Sequence, residues 1–248
     1  MKKLLVVSAA LALLAGPELG SATIRNSAHD LSSTSTYTRQ GGGINGDADF
    51  DQLCAYCHTP HKADRSVATA PLWNRINPVE ATVKAYGFYN TATLSAVAQP
   101  RNVKNTVYST DVPLCMSCHD ETSITGNFIN PVGDLEVGST TNPLTIATLS
   151  TTSTAYLLDS TNSLMNDHPV GFNYDTAYSE DGAATGGLVL RSTAIAEKKV
   201  AFYGTNSDMM WCSSCHAVHE PGTDGAGTYP FLRSSVNGSE LCLTCHNK

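Results

Sequence analysis

The sequence predicts a mostly irregular fold: short helices at four repeated cysteine motifs, a few short strands, and little other regular structure. Three observations predict it. All eight cysteines fall in four C-x-x-C pairs, each followed at once by histidine. No long stretch repeats apolar residues at helical spacing. The segments between the motifs are rich in Ser, Thr, Asn and Gly, and charged residues make up only 15% of the chain. Few apolar segments are left to build a core, so something other than side chains has to fill much of the interior.

The chain opens with an export signal. Lys2 and Lys3 form a charged start, Leu4 to Leu14 an apolar run too short to span a bilayer, and Gly20-Ser21-Ala22 a small-residue cleavage site. Residues 1–22 are therefore expected to be a signal peptide and 23–248 the mature domain, which begins with a polar N-terminal arm over 23–50. No cysteine near the cleavage site offers a lipid anchor, and no later segment reaches membrane-helix length. Removing two positive charges and one negative takes the formal net charge from −7 to −8. That sign argues against nucleic acid and anionic membranes as partners. The expected place is outside the cytoplasm: secreted, at the cell surface or free, with the periplasm as the alternative.

The four motifs are Cys54/Cys57-His58, Cys115/Cys118-His119, Cys212/Cys215-His216 and Cys242/Cys245-His246. Disulfides are the default for an exported chain, and zinc takes sets of four cysteines, or of two cysteines with two histidines. Neither explains a histidine after every second cysteine. Covalent haem c does. Two thiols a turn apart form thioethers with the two vinyl groups of one haem, and the adjacent histidine lies under the iron as its proximal ligand. Four motifs imply four haems, and the fold class becomes a low-secondary-structure multihaem cytochrome c fold around a haem stack.

Eight histidines are present, four of them proximal. The other four, His29, His61, His168 and His219, match the number of sixth ligands that four bis-histidine irons need. A surface role is the ordinary reading of a single histidine; the matching count favours ligation here. Methionine is the rival sixth ligand. Met116 sits inside a motif, Met209 and Met210 directly precede one, and only Met165, near His168, competes. Two motifs are doubled, CAYCHTPH at 54–61 and CSSCHAVH at 212–219. Three residues after a proximal histidine the chain is still on the same side of that iron, so His61 and His219 are expected to serve other haems. Chain order assigns His61 to the haem of Cys115/Cys118 and His219 to that of Cys242/Cys245. His29 and His168 then remain for the haems of Cys54/Cys57 and Cys212/Cys215.

Between the motifs, Gly41 to Gly43 mark a loop, Thr151 to Thr154 a polar run, and Leu144 to Leu149 and Gly187 to Arg191 alternate like short strands. Tyr56, Trp73 and Trp211 are read as packing rather than as electron relays.

Taken together, the residues resemble bacterial multihaem c-type cytochromes with doubled C-x-x-C-H motifs, over most of the mature chain. The resemblance is carried by His29-Asp30-Leu31-Ser32, CAYCHTPH at 54–61, Pro71-Leu72-Trp73-Asn74, LCMSCHD at 114–120, Asp167 to Phe172, CSSCHAVH at 212–219, Phe231-Leu232-Arg233 and SELCLTCH at 239–246. Within that group the chain is similar to OmcE-type tetrahaem extracellular cytochrome filament subunits. This likeness implies a homopolymer of head-to-tail contacts, electron flow to other redox proteins or extracellular acceptors, and one haem ligand supplied by a neighbouring copy, for which His29 is the matching candidate.

The function expected is electron transfer without chemistry on a substrate. A monomeric periplasmic shuttle is the alternative. A nitrite or hydroxylamine oxidoreductase, or a gas or metal sensor, needs an open iron position, often marked by C-x-x-C-K or by missing distal ligands. Neither mark is present, so no catalytic residue is assigned.

Overall fold

The computed structural model describes residues 24–32, 53–67, 70–120, 128–130, 156–158, 163–181, 187–196, 200–220 and 231–247. The expected signal peptide, Gly41 to Gly43, Leu144 to Leu149 and Thr151 to Thr154 lie outside them. Among the described residues the longest helices have eight residues and the strands have two, and no helix is long and apolar enough to cross a membrane.

Three helices form the first packed unit. Helix α1, Glu80–Ala85, has an acid in its first turn and a base in its last, which complements the helix dipole. The exposed Glu80–Lys84 ion pair adds about 0.3–0.5 kcal/mol. Helix α2, Pro100–Thr106, starts on a proline, whose missing N–H costs nothing at a helix start. It runs through a 3-10 turn, Val107–Ser109, toward helix α3, Val112–His119. Val83, Val103, Val107, Val112 and Met116 are buried together, each contributing about 1.5–3 kcal/mol.

Two small sheets close over this unit. Strand β1, Gly87–Phe88, pairs in parallel with β2, Ser163–Leu164. Gly87 is needed there, because a Cβ would lie 2.6 Å from the Ser163 hydroxyl. Strand β3, Phe172–Asn173, pairs antiparallel with β4, Met209–Met210, and continues into helix α4, Tyr174–Asp181. Gly171 enters β3 at φ +82 against Val107. Helix α5 is Arg191–Ala196, α6 is Cys212–Cys215 and α7 is Glu240–Cys245. The expected strand over Gly187 to Arg191 is corrected: Leu188 makes a single bridge to His246, and Arg191 already opens α5, joined to Asp175 by two hydrogen bonds. The apolar core includes Met116 and Cys245, so it reaches into the second and fourth cysteine motifs and fixes their positions.

Candidate functional site

Each cysteine motif closes one helical turn. The N–H of His58 donates to Cys54 at 2.8 Å, that of His216 to Cys212 at 3.2 Å and that of His246 to Cys242 at 2.9 Å. Cys115 and Cys118 lie within α3, which ends on His119.

Three motifs are clamped by the same pair of backbone bonds. Thr59 donates to Leu72 and Asn74 donates to Cys57, both at 2.8 Å, around the His58–Trp73 bridge. Ala217 donates to Phe231 at 2.7 Å and Arg233 to Cys215 at 2.8 Å, around His216–Leu232. Asn247 donates to Gly187 and Val189 to Cys245, both at 2.8 Å, around His246–Leu188. Leu72 and Phe231 occupy equivalent clamp positions at φ 53 and φ 66, a left-handed conformation that costs a non-glycine residue about 1–2 kcal/mol. The clamps on His58 and His216 therefore carry some conformational cost.

Side chains add further ties. Asn74 Nδ2 donates to Ala55 O, and Asn130 Nδ2 donates to Thr59 Oγ1 and His61 O at 2.7 and 2.6 Å. Buried Arg75 donates to Ser117 O at 2.8 Å inside the second motif. Arg233 donates to Ser213 O in the third, and the Tyr174 hydroxyl donates to Val189 O beside the fourth. Asp30 caps the turn that carries His29, accepting from Asn26 and Ser32.

Two of the imidazoles are oriented by backbone carbonyls. His58 Nδ1 is 2.6 Å from Pro71 O, and His168 Nδ1 is 2.9 Å from Pro169 O. A carbonyl only accepts, so Nδ1 carries the proton in each ring and Nε2 presents its lone pair. Three of the four surplus histidines stand opposite a motif histidine. The ring centroids are 6.2 Å apart for His29 and His119, 6.0 Å for His219 and His58, and 6.3 Å for His168 and His246. Two metal–nitrogen bonds of ~2.1 Å and two half-rings of ~1.1 Å span about 6.4 Å. The observed separations are close to that length, and they also fall within the range of ordinary ring contacts.

The pairs differ from those that chain order suggested. His219 lies by His58 rather than His246, His29 by His119 rather than His58, and His168 by His246 rather than His216. His29, the candidate for a ligand shared between copies, is held in its own chain, stacked at 4.3 Å on Phe231. His61 is exposed, and among the described residues its ring makes no hydrogen bond or ring contact. Met165, the rival ligand, is 53% exposed.

No two of the eight cysteines are joined in a disulfide. Burial, reinforced by Cys118, pushes the Cys57 thiol up to about 12. Burial, with Cys245 next, pushes Cys215 up to about 11. The Cys212 thiol is raised by its hydrogen bond with Cys115 and then by burial, and burial raises Cys118 and Cys245. The interactions also order the motifs in space. Cys115 hydrogen-bonds Cys212, and Cys57 with Cys118 and Cys215 with Cys245 lie near enough to interact electrostatically, so first neighbours second, second neighbours third and third neighbours fourth.

Asp111, Cys115 and Cys212 bring potential metal-binding atoms within 4.8 Å of one another. The two thiols belong to different motifs, and both carboxylate oxygens already accept from the amides of Cys212 and Ser213. That arrangement suits a structural tie better than a separate ion site.

Two buried indole nitrogens, Trp73 Nε1 and Trp211 Nε1, have no hydrogen-bond partner among the described residues. Trp73 stands 6.0 Å from the His58 ring, and Trp211 directly precedes Cys212. Buried donors require acceptors, and a bound group with carboxylate arms would supply them. The donor set, the thiols and these two N–H groups fit haem c. Compared with protein-family models and with curated proteins, the chain matches none.

Sequence reasoning missed the clamp residues, Asn130, Arg75 and Asp111. Asn74 and Leu72 stood in a recognisable short motif, but nothing in a single sequence marks Asn130 or Asp111.

Proposed function

We propose that the protein is an electron carrier holding four haem c groups, three of them between the imidazole pairs His58/His219, His119/His29 and His246/His168. The paired rings at metal-bridging separation carry this reading. Eight thiols at four one-turn spacings would hold the groups, and a bound haem supplies a one-electron Fe(III)/Fe(II) couple. By count, His61 serves the iron held by His216. Paired imidazoles leave no open coordination position, which favours a carrier over an enzyme. The chain-order contacts among the motifs support a continuous relay from first to fourth.

The likeness to OmcE-type subunits supports a further step: an exported protein that polymerises head to tail into an extracellular conducting filament and delivers electrons to acceptors outside the cell. In that setting the ligand shared between copies is His61 rather than His29, since its ring is exposed while Asn130 fixes its backbone.

The test is the visible and paramagnetic spectrum of purified protein with and without carbon monoxide. Wholly low-spin ferric haem and a reduced spectrum that carbon monoxide barely changes are expected. A substantial high-spin, carbon monoxide-binding fraction would overturn the bis-histidine assignment.

A further inference from the structure

The junction of the second and third motifs carries a buried carboxylate that the ligand count does not use. Asp111 is 8% exposed. Its Oδ1 accepts from the Cys212 amide at 3.0 Å and its Oδ2 from the Ser213 amide at 2.7 Å, across about a hundred residues of sequence. Its own carbonyl accepts from the Leu114 and Cys115 amides at the start of α3. One carboxylate group thus lies beside attachment thiols of two motifs, within 4.8 Å of both. Among the described residues it forms no ion pair.

The first and second motifs meet around the opposite charge. Arg75 is 1% exposed and acts electrostatically on both Cys57 and Cys118. Arg233 acts on Cys215 at the third and fourth. The three junctions therefore carry different principal charges: Arg75, tempered at Cys118 by Asp120, at the first, Asp111 at the second and the more exposed Arg233 at the third.

We infer that Asp111 is a potential-setting residue, a fixed buried negative charge that makes the second and third irons harder to reduce than their ligands alone would. This rests on the four-haem reading above. Oxidation adds one positive charge at iron, and a nearby anion in a poorly solvated site stabilises that charge. The interaction falls with distance, so the first and fourth irons feel it least. Arg75, fully buried, offsets it at the second iron; Arg233 beside the third motif is more exposed and offsets it less, which leaves the third iron most affected. No electron donor or acceptor beyond the protein's own redox partners is required.

The test is a redox titration of holoprotein followed by NMR of the haem methyl signals, which assigns each transition to its motif. Asp111→Asn keeps an acceptor oxygen and removes the charge. The Fe(II)/Fe(III) ratio at the third iron should rise about tenfold at a fixed ambient potential, ~59 mV for one electron, with a smaller rise at the second. The first and fourth should move less than twofold, and Asp111→Glu should restore the wild-type curve. Asp111→Ser, also neutral, should match Asp111→Asn. Four low-spin haems with unchanged transitions in both neutral variants would overturn the inference. If the neutral variants fail to load four haems while Asp111→Glu loads them, Asp111 acts in assembly and the inference is overturned. Wild-type protein without covalent haem would sink the underlying reading instead.

Discussion

The two doubled motifs, Cys54 to His61 and Cys212 to His219, have identical spacing and different outcomes. Both close a helical turn, and both are clamped by a non-glycine residue at positive φ. Both second histidines are exposed, yet His219 stands 6.0 Å from the ring of His58, while the ring of His61 makes no ring contact among the described residues. The loops explain part of this. After His216, Ala217 is clamped to Phe231 and accepts from Glu220 in a tight turn. After His58, Pro60 has no N–H, and Asn130 ties Thr59 Oγ1 and His61 O together. The spacing keeps the second histidine from capping the iron proposed for its own motif. Its destination is set by segments far away in sequence.

The strongest break of this comparison is His219→Ala. It removes the ring opposite His58, so one haem in four should become high-spin and bind carbon monoxide, while the four thioether attachments remain. A spectrum still wholly low-spin would show that another group caps that iron.

Asn130→Ala should cost about 2 kcal/mol of stability, from two lost side-chain hydrogen bonds. Denaturant unfolding reads it, and a cost confined to the region of the first motif would show as faster amide exchange around His61. No change in either would remove Asn130 from the account of why the two loops differ.

His61→Ala sharpens the contrast from the other side. Its exposed ring contributes little to its own chain, so stability should change by less than ~0.5 kcal/mol. Electron microscopy of the variant should show dispersed particles in place of filaments. Filaments of ordinary length would place the shared ligand elsewhere or leave none.

The smallest effect concerns pH. Burial alone would raise the Asp64 carboxyl, but hydrogen bonds from the Ser66 and Asn77 amides outweigh it and hold the group below the ordinary carboxylate value. A carboxyl lowered in the folded state stabilises the protein above its unfolded pKa, and that stability is lost as pH falls through the folded one. The loop over 64–77, which supplies the clamp on His58, should therefore loosen in acid below about pH 4. Asp64→Asn should remove that part of the pH dependence and leave the clamp on His216 unchanged.

What was legible in the sequence was local. A C-x-x-C-H spacing is one helical turn, and its geometry follows from five consecutive residues. The surplus histidines were also visible, because eight is a countable number. Their pairing was not. His29 reaches His119 past ninety residues, and His219 reaches back to His58, so chain order misled. The clamps were half visible: Pro71 to Asn74 and Phe231 to Arg233 look alike, but their role emerges only when the backbone bonds to Cys57 and Cys215 are seen. Asp111 was invisible, since a lone aspartate before a helix has an ordinary helix-start explanation.

The intact mass of the purified protein under denaturing conditions tests the central claim most directly, because thioether-bound haem survives unfolding. The account predicts the mass of the processed chain plus four haems. A mass equal to the chain alone, with its eight cysteines as free thiols or disulfides, would contradict it.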